Sequence, residues 1–274
     1  MRQTLKQILP VGQAAVDLLF PPICLWCGAA ESDAERASTT PAPSSAAPPA
    51  SPSATPHTSP ALCADCVERL LGPRPSRCRR CGMPTSADAP ALPNGRCRAC
   101  REDAFHFSAV VPLGDYVDEL RDAVLAMKET TGRTLAMAIA RLLAAEARAT
   151  MESFQPDLIA AVPMHWWPRA WRGMNSAEIV AETLARELCI AWAPRLLIRH
   201  RYTAPQSDLP RTRRRTNVRN AFRVSRCYTL DRPRVLLVDD ILTTGATCSE
   251  AARTLRDAGA ADVFVAVVTR ATSP

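Results

Sequence analysis

The sequence predicts an α/β fold in which a mostly parallel sheet is flanked by helices and preceded by a small cysteine-rich metal module. Three observations carry this expectation. From about residue 107 onward, strand-length apolar runs alternate with amphipathic helical stretches, the pattern of a parallel sheet covered by helices. Ahead of that point, eight of the eleven cysteines fall in four Cys-x-x-Cys pairs. Near the C-terminus an apolar strand ends in two aspartates and turns through hydroxyl residues and a glycine into a helix.

Strands are expected at 107–113, 158–162, 195–200, 235–238 and 263–269. Helices are expected at 115–128, 133–151, 175–188 and 244–258. Leu135, Ile139, Leu142 and Leu143 share one face of the second helix, and Ile179, Val180 and Leu184 share one face of the third. The chain is 274 residues long and 47% hydrophobic, enough to bury a core in one or two domains. That excludes a wholly disordered chain and a disulfide miniprotein. No apolar run reaches membrane-spanning length. The expected organisation is an N-terminal helix with a double metal module over 1–104 and an α/β domain over 105–274. A Pro-, Ala- and Ser-rich insertion at about 29–61 offers no bulky apolar residue to bury. His57 inside it is read as solvated, because the cysteines already fill the coordination expected.

Cys24, Cys27, Cys63, Cys66, Cys78, Cys81, Cys97 and Cys100 are candidate metal ligands. Two sulfurs two residues apart face one ion across a tight turn, and two such pairs complete a tetrahedral thiolate site. Eight ligands make two sites. Structural Zn²⁺ is the favoured ion and an iron–sulfur centre the alternative. The spacing of Cys78, Cys81, Cys97 and Cys100 fits a ribbon on its own, which favours sequential pairing over a cross-braced one. The N-terminus lacks a convincing export signal, since its apolar stretch is broken by Pro10, Gln13 and Asp17. A disulfide framework is therefore disfavoured, and a cytoplasmic location is expected. Cys189, Cys227 and Cys248 are read as ordinary buried thiols.

The formal charge is +7, and all but two of the 34 basic residues, Lys6 and Lys128, are arginine. Guanidinium forks suit phosphate, although an arginine-rich composition can also arise without function. Ten arginines from Arg195 to Arg226 crowd a segment in which Asp208 is the only acid. Three readings stay open: pyrophosphate neutralisation, contact with a nucleic-acid backbone, or a solvated loop. The candidate nucleic-acid contacts are Arg211, Arg213, Arg214, Arg215 and Arg219. Trp166, Trp167 and Trp171 either stack on bases or serve as core or interface residues.

The segment from Arg234 to Thr247 carries the sharpest chemistry. In an open α/β sheet, ligands bind at the carboxyl ends of strands. There the N–H groups opening a helix, with the hydroxyls of Thr243, Thr244 and Thr247, can cradle a phosphate, while Gly245 and Ala246 keep the backbone accessible. Asp239 and Asp240 can accept hydrogen bonds from vicinal hydroxyls or hold Mg²⁺ through water. The combination suits a sugar phosphate.

This segment resembles the phosphoribosyl-diphosphate (PRPP) binding motif of type I phosphoribosyltransferases. With Leu19-Phe20-Pro21-Pro22-x-Cys24, the cysteine pairs, Arg172-Gly173-Met174-Asn175, Gln206 and Arg215-x-Asn217-Val218-x-Asn220-Ala221-Phe222, the chain is similar to the competence protein F (ComF) family. The likeness covers nearly the whole chain outside the insertion. It departs from the family where Ser176 replaces the usual glutamine and where Ala161-Val162-Pro163-Met164 replaces Pro-Val-Pro. The resemblance implies a type I phosphoribosyltransferase-like sheet behind a double zinc ribbon. It implies that Thr243 to Thr247 hold a 5′-phosphate and that Asp239 and Asp240 contact the ribose as catalytic residues. Lys128, Arg169 and Arg172 are the candidates for the pyrophosphate end, with Mg²⁺. It further implies a role in DNA uptake during natural transformation, with single-stranded DNA and a competence helicase as partners. Two functions stay open: a PRPP-dependent transferase, or a non-catalytic accessory protein that senses nucleotide or binds single-stranded DNA.

Overall fold

A computed structural model describes residues 23–30, 61–85, 97, 100, 104–164, 175–204, 206 and 209–271, with Arg211 described by its backbone alone. Most of the expected insertion, His57, the three tryptophans at 166, 167 and 171, and the candidate ligands Arg169 and Arg172 lie outside these residues. The chain divides into two compact units, Met1–Glu68 and Arg69–Pro274.

In the smaller unit, a turn from Ile23 to Ala30 is closed by a bridge between those two residues. The Cys24 N–H donates to Ala29 O at 2.8 Å and the Gly28 N–H to Cys24 O at 2.9 Å. Helix α1 (Ala64–Leu71) starts directly after Cys63. In the larger unit the same knuckle is built again. Arg77 bridges Pro84, Cys78 N–H donates to Met83 O at 2.9 Å and Gly82 N–H to Cys78 O at 2.8 Å. Both knuckles close on a glycine with positive φ, 74° at Gly28 and 72° at Gly82.

The larger unit then folds as β1 (Ala109–Asp115), α2 (Asp118–Ala126), α3 (Arg133–Ser153), β2 (Leu158–Ala161), α4 (Ser176–Leu188), β3 (Ala191–Trp192), β4 (Leu197–Arg199), α5 (Arg211–Val218), β5 (Phe222–Val224), β6 (Arg234–Leu242), α6 (Ala246–Asp257) and β7 (Asp262–Arg270). Five strands form one parallel sheet in the order β1-β7-β6-β2-β3. The expected α/β architecture is present, and the elements fall within a few residues of the expected positions. The first strand begins two residues later than expected, at Ala109, because Phe105 and Phe107 stack on each other with centroids 4.7 Å apart and are held by Arg80. The strand expected at 195–200 is short and joins no parallel sheet. As β4 it pairs antiparallel with β5.

The pleat decides which side each β6 residue serves. Val235 and Leu237 belong to the core beneath α6, together with Val263, Val265 and Val267 of β7 and with Cys78, Cys81 and Cys100. Leu236 and Val238, also fully buried, alternate with them along the strand and face the other side, where α4 packs on β2 and β6. A strand buried on both faces reads as a continuous apolar run, as β6 does until Asp239.

β2 and β6 are neighbours, yet the chain leaves β2 toward β3 on one side and leaves β6 toward β7 on the other. Their carboxyl ends therefore flank a topological switch point, where a crevice opens in sheets of this kind. Val162, whose N–H donates to Val238 O at 2.8 Å, and Pro163 follow β2 there, and the two aspartates lie beside Val238 in the last half of β6, which runs on to Leu242.

Candidate functional site

Two adjacent carboxylates on a pleated strand point to opposite faces. Asp239 continues the row of Val235 and Leu237 toward α6, where the buried Cys248 thiol donates to its Oδ2 at 3.5 Å. Asp240 turns the other way. Its Oδ2 accepts from Ser176 Oγ at 3.1 Å, on the first turn of α4, and lies 3.0 Å from Lys128 Nζ. Each carboxylate also accepts a backbone N–H, Asp239 that of Asp240 at 3.0 Å and Asp240 that of Ile241 at 2.7 Å.

Lys128 reaches Asp240 from the turn between α2 and α3, so it stands at the carboxylate end of the site. Asn175 caps α4 by accepting the Ala177 N–H at 3.2 Å and donates to Val162 O at 3.3 Å. The Asn175 and Ser176 positions thus tie the end of β2 to Asp240.

After Leu242 the chain passes through Thr243 and Thr244 into α6, whose N-cap is Gly245 with φ 75°. A Cβ at Gly245 would come within 2.9 Å of Phe105 Cε1, so the left-handed backbone and the close ring both demand glycine. Thr244 Oγ1 accepts the Ala246 N–H at 3.4 Å, and Thr247 Oγ1 accepts from Gln206 Nε2 at 3.2 Å. Gln206 also donates to Arg214 O at 3.3 Å, while its buried Oε1 has no partner among the described residues. It remains an acceptor for a ligand donor. The loop carbonyls are held from behind by Arg270, a buried side chain at the end of β7 whose Nη1 donates to Leu242 O at 2.8 Å and to Thr243 O. The sequence reading missed Arg270, because it looks like the polar residue that ends any strand.

Residues 211–218 form α5, packed on α6. Val218, Ala221 and Phe222 are buried, Asn217 Nδ2 donates to Ala204 O at 2.9 Å, and Asn220 adopts φ 52° with its N–H on Glu250 Oε1 at 2.7 Å. Arg214 donates to Leu209 O at 3.0 Å and Arg215 lies 5.9 Å from the Phe105 ring centre. Arg213, Arg215 and Arg219 are exposed, and Arg215 and Arg219 line a cavity of about 460 Å³ with His106, Ala246, Glu250 and Arg253.

The eight cysteines gather sequentially, Cys24, Cys27, Cys63 and Cys66 in one cluster and Cys78, Cys81, Cys97 and Cys100 in the other, with all sulfurs of a cluster within 4.8 Å of one another. Sulfur separations of 3.9 Å (Cys27 to Cys63), 3.8 Å (Cys78 to Cys100), 3.5 Å (Cys81 to Cys97) and 3.7 Å (Cys97 to Cys100) exceed a disulfide bond. They match the edge of about 3.8 Å in a tetrahedron of thiolates around a zinc-sized ion. Both clusters fit such an ion. Burial opposes ionisation of Cys78, but the N–H groups of Cys81, Cys97 and Arg80 outweigh it and bring its pKa down to about 7. The lone cysteines divide differently from expectation. Cys248 is buried beside Asp239, whereas Cys189, the left-handed cap of α4, and Cys227, in the turn after β5, are exposed because both sit where the chain reverses at the surface.

A parallel α/β sheet with an Asp-Asp-x-x-Thr-Thr-Gly-x-Thr loop at its switch point, joined to two four-cysteine clusters, defines the class of protein. No model of a known protein family matches the chain. Among characterised proteins it is 36% identical to DNA utilization protein YhgH of Salmonella typhi over 208 residues, covering 74% of this chain and 88% of that protein. The Escherichia coli K12 protein of the same name is 34% identical over 192 residues (69% and 81%), and competence protein F of Haemophilus influenzae 29% over 179 (64% and 78%). The chain belongs to this competence protein F family. Two solved structures match less closely, and the chain spans under two thirds of each. UMP synthase of Leishmania donovani shows 21% identity, TM-score 0.29 and coverage of 48% of this chain and 22% of that one. Phosphoribosylpyrophosphate synthetase of Mycobacterium smegmatis shows 18%, 0.32, 61% and 55%. No helix among the described residues is long and apolar enough to cross a membrane.

Burial, and then the neighbouring Asp240, push the Asp239 carboxyl up to about 7. An acid whose pKa is raised by folding keeps its proton in the native state after the unfolded chain, near 3.9, has lost it. Stability therefore falls as pH rises from about 4 to about 7. Asp239→Asn removes that burden. Without divalent cations the variant should melt higher than the parent at pH 8, by at least about 2 °C, and no higher at about pH 4. Equal melting temperatures at pH 8 would show that Asp239 bears no such cost.

Proposed function

We propose that the crevice between the ends of β2 and β6 binds PRPP with Mg²⁺, and that the protein acts as a phosphoribosyltransferase-like member of its family in DNA uptake and natural transformation. The observation that carries the reading is the loop itself. Its backbone N–H groups and the Thr243, Thr244 and Thr247 hydroxyls surround one helix start while two carboxylates stand a few residues away. In this reading the loop from Thr243 to Thr247 holds the 5′-phosphate, Asp239 and Asp240 face the ribose and the hydrated Mg²⁺, and Lys128, Arg169 and Arg172 serve the pyrophosphate. Lys128 then exchanges its present partner Asp240 for phosphate oxygens when ligand and cation arrive. Mg²⁺ would supply charge neutralisation at the leaving group. The two cysteine clusters hold structural Zn²⁺, in a metal module running to residue 104, and the cytoplasm is the compartment that keeps those thiols reduced.

A second reading is a non-catalytic accessory protein that senses nucleotide or binds single-stranded DNA together with a competence helicase. The exposed guanidiniums of Arg213, Arg215 and Arg219 on and just after α5 favour it. Positive charge on one short helix suits a phosphate backbone.

Calorimetric titration with PRPP and Mg²⁺ should give binding at sub-millimolar ligand, lost in the Asp239→Ala, Asp240→Ala double variant. No binding to the parent protein, or equal binding to the variant, overturns the PRPP reading. Pyrophosphate release from PRPP in the presence of nucleobases then separates transferase from sensor. Elemental analysis should return two zinc ions per chain, and one or none refutes the two-site assignment. For the DNA reading, a single-stranded oligonucleotide should be retarded at low salt and released as salt rises. Charge removal at Arg213, Arg215 and Arg219 should abolish that shift, and an undiminished shift rules out α5 as the contact.

A further inference from the structure

We propose that Arg270 is the positioning residue of the sugar-phosphate loop, and that through it the second four-cysteine cluster sets the geometry of that loop. The proposal rests on the reading of Thr243 to Thr247 as a phosphate cradle, but the contacts it uses are independent of any ligand. A buried guanidinium must place its donors on acceptors, and this one spends them on two separate chain segments. Its Nε donates to Cys81 O at 2.8 Å, the carbonyl of a metal ligand. Its Nη1 donates to Leu242 O and Ala271 O, at 2.8 and 2.7 Å, and to Thr243 O. One rigid planar group thus clamps the second knuckle to the entry of the phosphate loop.

A second route joins the same two places. Arg80 sits between the ligands Cys78 and Cys81. Its guanidinium donates to Phe105 O at 2.6 Å and to Phe107 O, and lies 5.9 Å from the centre of the Phe105 ring. That ring is the surface against which Gly245 packs, with no room for a Cβ. The knuckle therefore meets the loop at its first residues through Arg270 and at its glycine through Arg80 and Phe105.

The knuckle is tied to β1 by the Val110 N–H on Arg79 O at 2.8 Å and by Arg77 on Asp115 at 2.7 Å, and the gathering of its four sulfurs fixes the end that carries Arg80 and Cys81. Cys97 and Cys100 come from a separate stretch of chain, and a shared metal ion would join them covalently to Cys78 and Cys81, since the sulfurs are too far apart for disulfides. Loss of the ion would loosen Cys81 and Arg80 together, and weaken both supports of the loop. Metal content of this cluster and ligand affinity of the loop are consequently linked quantities.

Hydrogen exchange on the full-length protein tests this without reference to activity. In Arg270→Met the amides of 243–247 should exchange about tenfold faster than in the parent, those of α3 should be unchanged, and the metal content should stay at two ions per chain. Arg270→Lys, which keeps the charge but not the planar fork, should fall between. Cys97→Ser, which removes one ligand of the second cluster, should lose one metal ion and loosen the same amides in the parent background, which keeps the test decisive if Arg270→Met does not fold. Unchanged exchange at 243–247 in either Arg270→Met or Cys97→Ser overturns the proposal. PRPP titration run in parallel separates the two claims. If the parent binds no PRPP but the loop loosens as stated, the coupling stands and the ligand assignment falls. If the parent binds PRPP and Arg270→Met binds it equally well with an unaltered loop, the ligand assignment stands and the coupling falls.

Discussion

The two-residue period of β6 is the constraint on which the site depends. A central strand buried on both faces cannot carry two adjacent carboxylates unless each finds support on its own side of the sheet. Asp239 finds the thiol of Cys248 on α6, and Asp240 finds Ser176 on α4 and Lys128 from the α2–α3 turn. The helices on both faces are thereby tied to one point, and that point lies at the switch in strand order, where the connections diverge. The raised pKa of Asp239 reports the cost of the arrangement.

The second cysteine cluster is less an appendage than a portion of the sheet's core. Cys78, Cys81 and Cys100 pack in the same apolar body as Phe105, Phe107, Val235, Leu237 and Leu255. A metal-clipped knuckle needs few residues to be rigid, and rigidity is what a neighbouring loop of small residues lacks by itself. Thr243, Thr244 and Gly245 have no bulky side chain with which to pack in place. Their order must come from groups behind them.

Much of this was legible in the chain alone. The apolar run of β6, its two aspartates and the threonines and glycine that follow announce strand, loop and helix at once, because each step changes residue chemistry sharply. The cysteine pairs were equally plain. Lys128 drew notice through the scarcity of lysine, and the structure places it on Asp240. What stayed hidden has physical reasons. Half of helix α5 is arginine, and Val218 is its buried apolar contact, so no periodicity marks it. β4 and β5 are three residues each and are held by pairing with one another, a contact that no single run encodes. Arg270 bonds a partner far away in sequence, Cys81, and Cys248 meets Asp239 across the loop that joins β6 to α6, and nothing local distinguishes them from an ordinary strand end and a core thiol.

The twin knuckles, alike in hydrogen bonding, differ in their surroundings. At the first, Cys27 is exposed to solvent, whereas at the second Cys81 is only 1% exposed. Chelators and oxidants attack thiolates they can reach. Through Cys27 the first cluster is the more open of the two to such reagents, and an ion held there would meet them sooner than one held by the second.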